Sequence, residues 1–152
     1  MRTGDITSGP GSAASPGEIT RLVRDLLEAW NTRDPELIRT FYAPEYEGVD
    51  VGQAKPRRGP GDVARTAERY LLAFPDLRFG EDDIIVQGNR AVLVWTAHGT
   101  HRGQLMRIPP TGREISVLGT SVFTVEDGKF TSGLHIWDVA GLLRSIGLLP
   151  EL

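Results

Sequence analysis

Asp138 is the side chain in this sequence with the clearest means to do chemistry. It follows Leu134, Ile136 and Trp137 where a β-rich stretch gives way to a helical one, so its carboxylate is expected to face an apolar interior. Burial there disfavours the charged form and raises the pKa, which suits a group that takes and returns a proton near neutral pH. An aspartate at a helix start equally serves as an N-cap, accepting from backbone N–H groups of the first turn, and the residue types alone leave both roles open.

The histidines are His98, His101 and His135. His98 and His101 stand three apart, and on a regular strand such residues face opposite sides, so they do not converge unless Gly99 marks a bulge. With no cysteine and no HExxH pattern, no metal site is expected. One or two histidines, His101 or His98 first, are expected to line a cavity as hydrogen-bonding partners of Asp138; each is otherwise a half-buried, satisfied strand residue. Trp30, Tyr42, Tyr70, Phe74, Trp95 and Trp137 are enough aromatics to wall a pocket for a flat ligand, although such spacings also build ordinary core. Glu81-Asp82-Asp83 reads as a solvated turn and Lys55 to Arg58 as a mobile basic loop. No phosphate-binding glycine pattern and no Gly-x-Ser-x-Gly elbow is present.

The elements that must position these groups follow from pattern. Residues 1–14 are Gly-, Ser-, Ala- and Pro-rich with little to bury, and read as a flexible leader before a domain spanning 15–152. Ser15-Pro16-Gly17-Glu18 has the form of a capping box, and Ile19, Leu22, Val23, Leu26, Leu27 and Trp30 make one apolar helical face. Asp34-Pro35 starts a second helix carrying Leu37, Ile38, Phe41 and Tyr42, which ends before Pro44. Residues 46–51 are sparse in apolar side chains, and 55–61 is a loop. Asp62 caps a third helix that stops at Phe74-Pro75.

Beyond Pro75 the period shortens. Residues 77–86, 90–100, 114–125 and 129–137 are rich in β-branched and aromatic side chains, with short turns at Gln87-Gly88-Asn89 and Glu126-Asp127-Gly128. A last helix, 139–146, ends at Gly147. Helices followed by an antiparallel meander give an α+β fold: a curved sheet, three N-terminal helices on one face, a short C-terminal helix, and an apolar cavity at the open end.

With 39% hydrophobic and 24% charged residues the chain is of ordinary globular composition. Its net charge of −3 and scattered basic residues speak against a nucleic-acid partner. No stretch approaches the ~18 consecutive apolar residues of a membrane span, and the N-terminus lacks the apolar core of a secretory signal, so a cytoplasmic location is expected.

Trp30-Asn31-Thr32-Arg33-Asp34, Phe74-Pro75-Asp76-Leu77, Gly99 to Gly103, Ile108 to Arg113, Asp127-Gly128-Lys129, and Asp138 through Gly141-Leu142-Leu143 to Gly147 together resemble the SnoaL-like family of polyketide cyclases, from about Glu18 onward. The resemblance implies the cone-shaped fold of the nuclear transport factor 2-like superfamily. It also implies cofactor-free closure of a polyketide ring by intramolecular aldol condensation, with Asp138 as acid/base, and the expected assisting group is a histidine, His101 or His98. The expected partner is a small hydrophobic molecule held by Trp30, Tyr42, Phe74, Trp95, His98, Leu134 and Trp137, and the expected assembly is a homodimer through the exposed sheet face. One departure stands out: Ser132-Gly133-Leu134 occupy the stretch where the family often has Glu-x-Trp, making that wall smaller and less polar. Relatives of the same fold include hydroxylation components, ligand-binding modules without catalysis, and epoxide hydrolases. Hydrolysis of an epoxide would need an arginine and a second carboxylate beside Asp138, and neither Arg90 nor Arg113 has a carboxylate two residues away on its own face.

Overall fold

Ser15 starts the first helix through a reciprocal box, its Oγ accepting from the Glu18 N–H and the Glu18 carboxylate accepting from the Ser15 N–H, each at 3.1 Å. The computed structural model describes residues 13–151, so the leader expected over 1–14 lies almost wholly outside the described residues. Helix α1 (Pro16–Thr32) buries Ile19, Val23, Leu26 and Ala29 and stops at Arg33, which takes the left-handed conformation. Helix α2 (Pro35–Arg39) is a turn and a half, capped by Asp34.

Tyr42, expected on that helix, instead opens a strand, β1 (Tyr42–Asp50), in the segment that the sparse apolar pattern left unassigned. A two-residue strand, β2 (Arg57–Arg58), stands where a loop was expected, and α3 (Gly59–Ala73) follows it directly. Asp62 is not the N-cap of α3; that position is Arg58, whose N–H donates to the Asp62 carboxylate from one turn away (2.8 Å).

The meander is as the sequence predicts: β3 (Arg78–Gln87), β4 (Arg90–Thr100), β5 (Glu114–Glu126) and β6 (Lys129–Trp137), then α4 (Val139–Ser145). Glu81 to Asp83, expected as a turn, lie within β3 at an irregularity in its pairing with β4. Asp127 and Gly128 both adopt positive φ (51° and 74°), as a tight hairpin between right-twisted strands demands. The curved sheet runs β2-β1-β6-β5-β4-β3. All its pairings are antiparallel except one: β1 lies parallel to β6, which sets Asp50 opposite His135.

Two clusters of buried residues fill the space between helices and sheet. One joins α1 to Tyr42, Phe123 and Phe130; the other gathers Phe74, Leu77, Ile115, Val117, Leu142 and Ile146. No helix among the described residues is long and apolar enough to cross a membrane.

Candidate active site

Between the clusters lies a cavity of about 140 Å³ that opens to solvent. That is room for one aromatic ring, so a larger ligand must leave part of itself in the mouth. Its walls are apolar: Leu26, Leu27 and Trp30 from α1; Val63 and Tyr70 from α3 with Phe74 beyond it; Phe79, Leu93, Trp95 and Ala97 from β3 and β4; Val117 and Phe123 from β5; Leu142 from α4. Trp30, Tyr42, Phe74, Trp95 and Trp137, named from sequence as binding residues, all line it.

The polar residues that line this cavity include Asp50, Arg57, Tyr46, Thr66, Ser121 and His135, with the Tyr70 hydroxyl. Asp50 is 6% exposed and accepts from four donors. The Gly52 N–H and the Trp137 indole N–H meet Oδ1, both at 2.7 Å, while the Tyr70 hydroxyl (3.1 Å) and Arg57 Nη2 (2.9 Å) meet Oδ2. A buried carboxylate and guanidinium are tolerated because each neutralises the other and the remaining lone pairs are used. Asp50 is thus a fixed charge about which Arg57, Tyr70 and Trp137 are arranged.

Beside it, His135 Nδ1 lies 2.7 Å from Ser121 Oγ and Nε2 lies 3.3 Å from the Tyr46 hydroxyl. Ser121 Oγ in turn accepts from the Trp95 indole N–H at 3.0 Å. Burial, and secondarily the Arg57 charge, push the His135 pKa down to about 4, with Asp50 partly opposing. The imidazole is therefore neutral at physiological pH. Burial likewise holds the Tyr46 and Tyr70 phenols well above their ordinary range and pushes Tyr42 up to about 12, so all three stay protonated.

The other residues named from sequence stand elsewhere. Asp138 does not face the interior: it is exposed and caps α4, Oδ1 accepting from the Gly141 N–H at 2.8 Å. The reason is strand alternation, since Trp137 and His135 point inward and their neighbours point out. The same alternation turns Leu134, 39% exposed, away from the cavity, and puts His98 on the outer face next to inward-facing Ala97. His101 lies past the end of β4, fully buried behind Phe74, with Nδ1 accepting from the Thr111 N–H (3.2 Å), and it does not line the cavity.

Sequence reasoning missed Asp50 and Arg57 altogether, and Arg57, taken for part of a mobile loop, is 8% exposed. His135 was legible by counting back two from Trp137. For Asp50 no apolar alternation gives a signal, because the inward residues of the second half of its strand are Tyr46, Gly48 and Asp50 itself.

The family of SnoaL-like polyketide cyclases matches this sequence over residues 20–146. The aklanonic acid methyl ester cyclases DnrD of Streptomyces peucetius and DauD of Streptomyces sp. (strain C5) are each 27% identical over 133 residues, 83% of this chain and 88% and 80% of theirs. Among solved structures, TsrD of Streptomyces laurentii superposes with a TM-score of 0.81 at 29% identity, covering 90% of this chain and 99% of its own. AclR of Streptomyces galilaeus, a candidate hydroxylase, does so with 0.81 at 27%, covering 91% and 90%.

Proposed function

Because the chain belongs to the family of SnoaL-like polyketide cyclases, we propose that it closes or isomerises a hydrophobic, polyketide-like substrate in this cavity by cofactor-free acid/base catalysis, with His135 moving the proton. One observation carries the assignment: a neutral imidazole faces an aromatic-walled cavity beside a fixed carboxylate.

An aldol-type closure removes a proton from carbon next to a carbonyl, lets the enolate attack a second carbonyl, and protonates the new alkoxide. Neutral His135 accepts the first proton at Nε2 and, as imidazolium, gives it back, so no net proton or electron is consumed. Asp50 lies across the strand pair, where its charge favours the transient imidazolium and partly offsets the larger opposing effect of Arg57. Ser121 can accept from a protonated Nδ1 while holding the Trp95 N–H, and can donate when Nδ1 is bare. Folding a flexible chain against Trp30, Phe74 and Trp95 supplies the reactive geometry.

The relatives' named substrate, aklanonic acid methyl ester, is the probe. The wild-type chain should convert it, His135→Gln should lower turnover by about a hundredfold or more, and Asp138→Asn, which can still cap α4, should leave it within about twofold. Full activity of H135Q, or its loss in D138N, would return the chemistry to Asp138.

Epoxide hydrolysis draws on the Asp50–Arg57 pair but calls for a second carboxylate, and among the described residues lining the cavity Asp50 is the one carboxylate. A purely ligand-binding role is the outcome if wild type and H135Q bind the ester equally and neither converts it.

A further inference from the structure

Tyr46 lies across two strands, and both make room for it with glycine. A side-chain carbon at Gly48 of β1 would overlap its ring and hydroxyl, and one at Gly133 of β6 would lie 2.5 Å from Tyr46 Oη and 2.9 Å from His135 Nε2. Gly133 is therefore the opening through which the hydroxyl and the imidazole meet. The ring is 2% exposed and is braced edge-on by Tyr42, with centroids 4.7 Å apart. Among the described residues its hydroxyl has one hydrogen-bonding contact, the 3.3 Å approach to Nε2, and Tyr46 lines the cavity. A contact of that length is weak and easily exchanged for a better acceptor.

Resting on the acid/base role given to His135 above, we propose that Tyr46 is a second catalytic residue. Its hydroxyl turns from Nε2 to the carbonyl oxygen of a bound ketone, which bares the Nε2 lone pair for the hydrogen on the adjacent carbon. The C–H bond breaks and its electrons form the C=C bond. The carbonyl π electrons move to an oxygen held by the Tyr46 O–H, and an N–H bond forms on His135. Reversal returns a proton to carbon from an imidazolium that has exchanged with solvent. The pair's elementary activity is thus enolisation of a neutral hydrophobic ketone, whether or not a ring closes. Neutrality of the ligand follows from the cavity's charges, since Asp50 and Arg57 satisfy one another and His135 is uncharged.

The test is loss of the α-proton NMR signals of 2-tetralone in deuterated buffer at neutral pH. The intact chain should exchange them above the buffer rate. Tyr46→Phe, which keeps the ring, should lower kcat about a hundredfold with KM nearly unchanged. Gly133→Ala, which wedges the pair apart, should lower it similarly, with circular dichroism confirming the fold. In parallel, 2-naphthol, a planar mimic of the enol, should bind Y46F about tenfold more weakly, while tetralin binds both proteins alike. Exchange by Y46F at the wild-type rate overturns the role of Tyr46, and so does conversion of aklanonic acid methyl ester by wild type and Y46F alike; absence of exchange in the wild type overturns the enolisation activity. Exchange of 2-tetralone that depends on Tyr46, without conversion of the ester, upholds this pair and removes the cyclase assignment instead.

Discussion

At the scale of single residues the site is a study in what burial does to a base. Folding costs His135 its proton: the imidazole titrates near 6.5 in the unfolded chain and about 4 in the native one. Between those values the unfolded chain binds more protons than the folded chain, so stability rises with pH across that window. The contribution is complete above about pH 6.5 and is lost as pH falls toward 4, a swing of about 3 kcal/mol. Urea midpoints at pH 7 and pH 5 should therefore differ more for wild type than for His135→Gln, by about 1 M, which is about 2 kcal/mol at typical slopes. Equal pH dependence in the two proteins would mean that the imidazole titrates alike folded and unfolded. Asp138, exposed at a helix start, holds the Gly141 N–H as the N-cap of α4.

At the scale of elements, legibility tracked periodicity. Strands β3 to β6 carry the alternation of half-buried strands, and α1 carries both an apolar face and a capping box, so their places were readable within a residue or two. β1 was unreadable because two of its inward positions are not apolar, Gly48 being small to admit Tyr46 and Asp50 charged to hold Arg57, and because exposed Pro44 sits where pairing with β6 is irregular. Departure from local pattern at a functional strand is what conflict between folding and chemistry produces. Arg57 hid for a similar reason, since a basic cluster beside prolines and glycines reads as solvent-facing unless its buried counter-charge is known. The segment after β4 adds a second constraint, for Gly103 packs so closely on the end of α3 that a side-chain carbon would overlap the Leu72 carbonyl oxygen. Gly103→Ala should lower stability by about 1–3 kcal/mol, read as a lower Tm, because backbone rather than a flexible side chain must give way. An unchanged Tm would show that the segment from His101 to Arg113 is not anchored there.

At the scale of the whole molecule the helices cover one face of the sheet and, among the described residues, leave the other bare. Val49, Leu134, Val122, Val92 and Ile85 form a row of cross-strand neighbours over five strands on that outer face, flanked by Leu118 and Ile136 at 56% and 48% exposure. We propose that a second copy of the chain covers this patch, since contiguous exposed apolar surface of this kind is characteristic of interfaces. Light scattering should report a dimer for the wild type and a monomer for Leu134→Lys, and a wild-type monomer at micromolar concentration would dismiss the pairing. The parallel contact between β1 and β6 has a consequence of another kind. It joins the first long strand to the last, so Tyr46 and Asp50 wait for Gly133, His135 and Trp137 until nearly all of the intervening chain has found its place. Loop closure over that distance makes such a pairing a late and slow event. A chain that has formed only the hairpin from β3 to β4 therefore still lacks the Asp50–Trp137 and Tyr46–His135 contacts of the candidate site, which assemble with the completed fold.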